Sequence, residues 1–343
     1  MNKAVRLLLL FSLALCFAAA VQSESAANQE QALSETQKYV NDLAKSDAFS
    51  GVILIAKNDQ PIFQKAYGYA NKNFDVPNNM QTKFNLGSIN KVFTRLCIQQ
   101  LIKAGKLSGD DTIGKYLPDY PNKKAAETVT IDQLLNMKSG IGDFFGPKFE
   151  ATPKNQIRKI ADYLPLFADQ PLQFDPGTQE KYSNGGYVVL GAIIEKITGT
   201  DYYSYVKANI YTPAGMTETD WYYLDEPVPN LATGYTKEDQ PNAKWRTNIY
   251  ELPGRGSSAG GGYSTAGDML KFVVALGQGK FGNKPAAAGH APAFGFAGGT
   301  AGVNSVVEAI PNGYLLIVLS NYDPPSAEDV VEKIRGWFEK LPS

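Results

Sequence analysis

The chain has 343 residues, of which 43% are hydrophobic, enough for one large domain or two closely joined subdomains. This composition excludes a disordered chain or a fibre. Lys and Arg total 33 against 34 Asp and Glu, so no net field would attract nucleic acid or an anionic membrane surface. We therefore expect a small or neutral partner and no nucleic acid.

The first segment has the pattern of an export signal. Lys3 and Arg6 precede an apolar run at residues 7–20, which is too short to span a bilayer and is followed by small and polar residues. We interpret residues 1–23 as a signal peptide and predict a periplasmic or secreted protein with no stable membrane span after cleavage. Cys16 leaves a lipoprotein anchor open as an alternative, although bulky Leu15 precedes it.

Two hairpins are predicted, one toward each end of the mature chain. Residues 51–69 contain two β-rich runs on either side of Asn58-Asp59. Residues 303–319 repeat this pattern around Pro311-Asn312-Gly313, where Asn and Gly suit the positive φ of a tight turn.

Helical spacing dominates the middle of the chain and returns at its end. It covers residues 93–104, 131–137, 186–198 and 327–340. We predict an α+β fold in one domain, residues 24–343, with an antiparallel sheet built from the N- and C-terminal strands and flanked by helices. The sheet subdomain would take in about residues 35–92 and 262–343, and a mainly helical inserted subdomain about residues 93–261.

Cysteine and histidine are scarce. Once the signal peptide is removed, Cys97 is the only cysteine, so no intramolecular disulfide can form. His290 is the only histidine, and no Cys or His cluster has metal-ligand spacing. No metal or cofactor is implied. His290 is either a solvated loop residue or a side chain that reaches the site.

Ser88 and Lys91 are the first candidates for chemistry. They stand where a polar loop opens an apolar helix, and their i, i+3 spacing lets the two side chains touch. A lysine can take the proton of a serine hydroxyl if burial lowers the lysine pKa, and a helix N-terminus offers free N–H groups to an oxyanion. The alternative is a surface lysine one turn after a capping serine.

A second motif is Tyr182-Ser183-Asn184, at the entrance to the helix predicted over residues 186–198. A tyrosine can relay a proton if a nearby ammonium lowers its pKa, and an asparagine can hold both the lysine and the substrate. The alternative is a buried loop tyrosine beside an asparagine turn.

Together these motifs resemble the serine β-lactamase-like superfamily, in the branch of class C β-lactamases, D-alanyl-D-alanine carboxypeptidases and related esterases. Further matches lie at residues 84–94, 111–118, 134–140, 174–177, 212–216 and 262–268. The resemblance implies that Ser88 is the nucleophile, Lys91 its partner and Tyr182 the proton relay. It also implies that Asn184 binds the lysine and the substrate.

The third motif of that family departs from its usual form. The family has Lys or His, then a small residue and Gly, where this chain has Phe296-Ala297-Gly298. By resemblance, Gly298 and Gly299 line the site, and the Gly299 N–H forms the oxyanion hole with that of Ser88. Phe296 in the position of the cation suits a neutral ester or amide better than a carboxylate-bearing β-lactam or D-alanyl peptide; plain strand packing is its alternative.

A competing motif, G-x-S-x-G at residues 256–260, lacks the preceding strand and following helix of a nucleophile elbow, so we interpret it as a loop beside the site. We predict a serine hydrolase that cleaves a small-molecule ester, amide or peptide through an acyl-enzyme on Ser88. It would be esterase-like rather than a β-lactamase. The rival hypothesis is a catalytically weak or inactive envelope binding protein on the same fold.

Overall fold

A computed structural model describes residues 25–237, 243–282 and 294–342. Within these ranges the main sheet has five antiparallel strands in the order β2-β1-β11-β10-β9. Its strands are β1 (Gly51–Lys57), β2 (Gln60–Tyr67), β9 (Phe294–Thr300), β10 (Val303–Ala309) and β11 (Tyr314–Ser320). The short strands form separate pairs: β3 (Tyr69–Asn71) with β4 (Val76–Pro77), β5 (Phe84–Asn85) with β8 (Tyr263–Ser264), and β6 (Tyr235–Thr236) with β7 (Arg246–Thr247).

The helices flank this sheet and fill most of the chain between β5 and β8. A helix α1 spans residues 25–45. The others are α2 (Asn90–Lys103), α3 (Ile113–Tyr116), α4 (Lys123–Thr128), α5 (Ile131–Leu135), α6 (Pro147–Ala151), α7 (Ile160–Tyr163), α8 (Asn184–Thr198), α9 (Tyr202–Val206), α10 (Thr212–Ala214), α11 (Ala266–Gly277) and α12 (Ser326–Phe338). Short 3₁₀ turns cover Lys72–Phe74, Gly87–Ile89, Lys154–Gln156 and Leu164–Leu166, and a π-helical turn covers Lys207–Tyr211.

Both predicted hairpins are present. Asn58 and Asp59 join β1 to β2 with φ values of 49° and 65°. At the second hairpin only Gly313 has a positive φ, 83°, so the expectation of positive φ at Asn312 is wrong. Asn312 instead donates its side-chain amide to the carbonyl oxygens of Phe338 and Leu341, which ties the turn to the end of α12.

The central strands β1 and β11 are buried on both faces, which explains why they read as nearly continuous apolar runs. Alternate side chains enter two cores. Val52 and Leu54 face the larger core under the helical segment, while Ile53 and Ile55 face a second core formed with α1 and α12. The sheet therefore separates two hydrophobic cores.

The predicted α+β class and the pairing of terminal hairpins in one sheet are confirmed. The bounds proposed for the two subdomains stay a prediction. Among the described residues, no helix is both long and apolar enough to cross a bilayer. The signal segment at residues 1–23, with Cys16, lies outside the described residues, as does His290.

Candidate active site

Ser88 lies in the 3₁₀ turn Gly87–Ile89, two residues before α2 begins at Asn90, and not in the first α-helical turn that the spacing suggested. Asn85 begins the turn by accepting a hydrogen bond from the Gly87 N–H at 2.8 Å. Because side chains at i and i+3 eclipse in a 3₁₀ geometry, Lys91 is brought over Ser88. Their Nζ and Oγ atoms are 3.1 Å apart.

Lys91 is buried, with 6% of its surface exposed. Burial lowers the pKa of its amine to about 7, while the nearby carboxylate of Asp143 acts in the opposite direction. A substantial fraction of the side chain is thus neutral at neutral pH. The condition that the sequence left open, a buried lysine able to act as a base, is met in this geometry.

The partners of Lys91 orient its lone pair. Its Nζ lies 2.6 Å from Asn184 Oδ1 and 2.5 Å from the carbonyl oxygen of Ala259. Both oxygens can only accept hydrogen bonds, so they use the two N–H groups of a neutral amine. The lone pair is left for Ser88, which is the direction required to take the hydroxyl proton.

Tyr182 completes the contacts of Ser88. Its hydroxyl donates to Ser88 Oγ at 2.5 Å, and its ring centroid is 4.7 Å from Lys91 Nζ. The expectation that an ammonium lowers the pKa of this tyrosine is not met, because burial is the dominant influence and raises the pKa. Tyr182 therefore stays a neutral phenol near pH 7 and is suited to donating a proton.

Asp143 is a member of the site that the sequence did not reveal. Its Oδ2 accepts a hydrogen bond from Asn184 Nδ2 at 2.6 Å, which turns the amide oxygen of Asn184 toward Lys91. Asp143 follows the family-like segment at residues 134–140 closely, but nothing in the spacing links it to a residue 41 positions later. The contact between Lys91 and the Ala259 carbonyl could not be predicted either, because no spacing pattern links two residues so far apart in the chain.

Strand β9 passes directly against the turn that carries Ser88. A Cβ on Gly298 would lie 2.1 Å from Leu86 O and 2.5 Å from Ser88 N, distances that no side chain can occupy. Gly298 therefore lies against the backbone of Leu86 and Ser88, and Gly299 follows it on the strand. Phe296, on the same strand, is half-buried, and its ring centroid is 4.9 Å from that of Phe294. It is not among the residues that line the cavity beside Ser88.

A cavity of about 350 Å³ opens at Ser88. Tyr182, Asn184, Gly298 and Gly299 line it near the nucleophile. Its remaining wall is largely apolar or small, and comes from Phe144, Phe145, Tyr163, Leu252, Pro253, Gly256, Ser257, Ala259, Gly260, Gly261, Ala297 and Thr300. Asn85, Gly87 and Glu328 complete the lining.

The G-x-S-x-G segment forms one side of this cavity without supplying a nucleophile. Ser258, its central serine, is fully buried and donates its hydroxyl to the Tyr187 carbonyl at 2.8 Å. The segment follows a loop rather than a buried strand. Its role is to present the Ala259 carbonyl to Lys91.

The sequence model of the beta-lactamase family matches residues 36–305. The chain belongs to the beta-lactamase family. This membership confirms the superfamily that the motifs indicated. The match takes in both the Ser88 and the Tyr182 motifs as well as the glycines of β9.

Two curated proteins are similar in sequence to much of the chain. The PbpX protein of Bacillus subtilis (strain 168) is 33% identical over 253 residues, 74% of this chain and 61% of PbpX. Penicillin-binding protein 4* of the same organism is 31% identical over 250 residues, 70% of this chain and 54% of that protein. The chain thus spans little more than half of these curated relatives.

The fold of a penicillin-binding protein from Bacillus halodurans is similar over almost its full length. The crystal structure superposes with a TM-score of 0.76 at 30% identity, covering 86% of this chain and 99% of that one. The mixed architecture of sheet and helices is therefore that of the β-lactamase and penicillin-binding fold.

Proposed function

We propose that this protein hydrolyses an ester or amide through an acyl-enzyme on Ser88. The observation that carries the proposal is the contact of Ser88 Oγ with both a buried lysine of lowered pKa and a neutral tyrosine, at the mouth of a cavity. These are a nucleophile, a base and an acid within hydrogen-bond reach of one another.

The residues divide the reaction between them. Neutral Lys91 takes the hydroxyl proton as Ser88 Oγ attacks the substrate carbonyl carbon, and the N–H groups of Ser88 and Gly299 would hold the resulting oxyanion. When the intermediate collapses, Tyr182 protonates the departing alcohol or amine and regains a proton from Lys91. Water then attacks the acyl-enzyme by the reverse proton path, which frees the acid and restores Ser88.

The cavity wall favours substrates without a carboxylate. None of its described lining residues is Lys, Arg or His, and its one acidic residue is Glu328. A substrate carboxylate would find no cationic partner there and would face a like charge. The charge of the cavity lining therefore supports an esterase-like or amidase-like activity over that of a β-lactamase. Phe296 does not line the cavity, so its identity is a weaker argument for the same preference.

We further propose that the protein acts outside the cytoplasm on a small-molecule ester, amide or peptide, without nucleic acid or a cofactor. The export signal predicted at residues 1–23 supports this location. A cavity of about 350 Å³ is of the size that accepts a small molecule.

Hydrolysis of 4-nitrophenyl butyrate by the mature chain tests the nucleophile. Ser88→Ala should lower kcat by about a thousandfold or more, because no other group can form the acyl-enzyme. Ser258→Ala is the matched control and should stay within about threefold of wild type, since Ser258 only donates to a backbone carbonyl.

Labelling with a fluorophosphonate separates the enzyme from the rival binding protein. Intact mass should show one adduct on the wild type and on Ser258→Ala, and none on Ser88→Ala. Equal rates of hydrolysis by wild type and Ser88→Ala would refute the assignment of Ser88 as the nucleophile. A wild type that neither reacts with the probe nor turns over the ester would favour the binding protein instead.

A further inference from the structure

Glu328 places a carboxylate in the wall of the catalytic cavity, in the first turn of α12. Its Oε2 is buried and has no hydrogen-bond partner among the described residues. No described Lys or Arg lies within ion-pair distance of it either. Arg335, on the same helix, pairs with Glu308 and Glu339 instead. A buried carboxylate oxygen without a partner is costly, so its presence calls for an explanation.

Helix capping does not supply that explanation. Acidic residues in a first turn are favoured by the helix dipole, but Asp329 stands in the same turn and is exposed. The N–H groups of Ala327 and Glu328 already donate to Asn304 Oδ1, at 2.6 and 3.4 Å. The turn is therefore capped without the Glu328 side chain, and Glu328 is one of the residues that line the cavity.

The beginning of α12 lies against the strand that adjoins the nucleophile. A Cβ on Gly299 would lie 2.6 Å from Pro324 Cγ, so the missing side chain is what lets the helix approach β9. Glu328 lines the same cavity as Gly299 and Thr300. A group bound by Glu328 would thus belong to a substrate whose carbonyl sits over Ser88.

We infer that the site selects substrates carrying a positively charged amine, which binds the Glu328 carboxylate while the apolar wall holds the rest of the molecule. This inference rests on the proposed hydrolase function and narrows its substrate class. An ammonium supplies the countercharge that the Glu328 carboxylate and the described lining of the cavity lack.

Matched cationic and neutral substrates test the inference. For a charge on the leaving group, butyrylthiocholine is compared with S-(3,3-dimethylbutyl) thiobutyrate. For a charge on the acyl group, 6-aminohexanoyl 4-nitroanilide is compared with heptanoyl 4-nitroanilide. In at least one pair, wild type should favour the cationic member by about tenfold in kcat/KM.

Two variants isolate the contribution of Glu328. Glu328→Gln keeps the shape of the side chain and removes its charge, so the ratio of kcat/KM for the cationic member to that for the neutral member should fall to about one. Glu332→Gln removes an exposed charge one turn further along α12 and should keep the preference. A far-UV circular dichroism spectrum and a urea unfolding midpoint like those of wild type show that Glu328→Gln is folded.

The outcomes for the two proposals are distinct. If hydrolysis of the neutral substrates depends on Ser88 but neither pair shows a preference, or if the preference survives in Glu328→Gln, the inference about the amine is wrong and the hydrolase stands. If Ser88→Ala hydrolyses every substrate like wild type, the proposed function itself fails.

Discussion

Two opposing influences act on the amine of Lys91. Burial lowers its pKa to about 7, and the carboxylate of Asp143 raises it. Without burial, the lysine would be an ammonium unable to accept the Ser88 proton. Without Asp143, the amide of Asn184 would lose the partner that directs its oxygen to Lys91. The Asp143 carboxylate therefore both raises the pKa of Lys91 and orients the amide of Asn184.

The pH dependence of kcat/KM should report this balance. Lys91 can accept a proton only when it is neutral. We therefore expect kcat/KM to be low at acid pH and to rise with pH through a midpoint of about 7. Asp143→Asn removes a charge that favours the ammonium, so the midpoint should move to lower pH. The variant should also lose about tenfold or more in kcat, because its new amide no longer offers Asn184 a carboxylate acceptor.

Asp110→Asn is the control, because Asp110 is exposed on a loop and has no contact with the site. Its pH profile should match that of wild type. A midpoint that stays in place in Asp143→Asn, or moves to higher pH, would contradict the assignment of Lys91 as the base.

At the scale of elements, the site depends on the contact between β9 and the 3₁₀ turn of residues 87–89. Both elements have a glycine where their backbones approach most closely. Gly87 has a φ of 50° and approaches the backbone of Gly298 and Gly299, while Gly298 meets the backbone of Leu86 and Ser88. The turn positions Ser88 and Lys91, and the strand closes the opposite side.

Gly298→Ala should disable the enzyme by separating these elements. The added methyl group would meet backbone atoms at 2.1 and 2.5 Å, which cannot move aside like a flexible side chain. We expect kcat/KM for 4-nitrophenyl butyrate to fall by about a hundredfold, since small displacements in an active site have effects of this order.

Gly295→Ala on the same strand provides the comparison. The nearest atom to its added methyl group would be Glu308 Cγ at 4.0 Å, an ordinary contact. This variant should retain near wild-type activity. If Gly298→Ala stays within a few-fold of wild type, the close approach of β9 is not needed for catalysis.

Over the whole molecule, the main sheet lies between two hydrophobic cores. One core fills the side that carries Ser88, and the other joins the sheet to α1 and α12. Phe338 is fully buried in the second core, with its ring 5.0 Å from that of Tyr314. This core supports the sheet from the face opposite the cavity.

Phe338→Ala should therefore cost stability rather than chemistry. Truncating a buried Phe lowers the free energy of unfolding by about 3–5 kcal/mol, whereas Phe74→Ala, at a position 78% exposed, should change it by less than about 0.5 kcal/mol. Urea denaturation measures both, and kcat of the folded Phe338→Ala protein should stay near wild type. A loss below about 1 kcal/mol would show that this core is not closely packed.

Short-range features of this protein could be predicted from its sequence. The i, i+3 spacing of Ser88 and Lys91, the turn at Asn58-Asp59 and the apolar face of α12 all depend on neighbours within a few residues. Such patterns repeat with the period of the helix or strand, so they are visible along the chain. The family resemblance added Tyr182, Asn184 and the glycines of β9, whose placement beside Ser88 agrees with the geometry.

Only the tertiary structure decided how these parts act together. The pKa of Lys91 depends on how deeply packing buries it, and burial reversed the expected direction for the pKa of Tyr182. Asp143, the Ala259 carbonyl and Glu328 reach the site from distant parts of the chain, and Phe296 turns out to pack beside Phe294. These contacts have no period in the sequence, because they arise where separate elements meet.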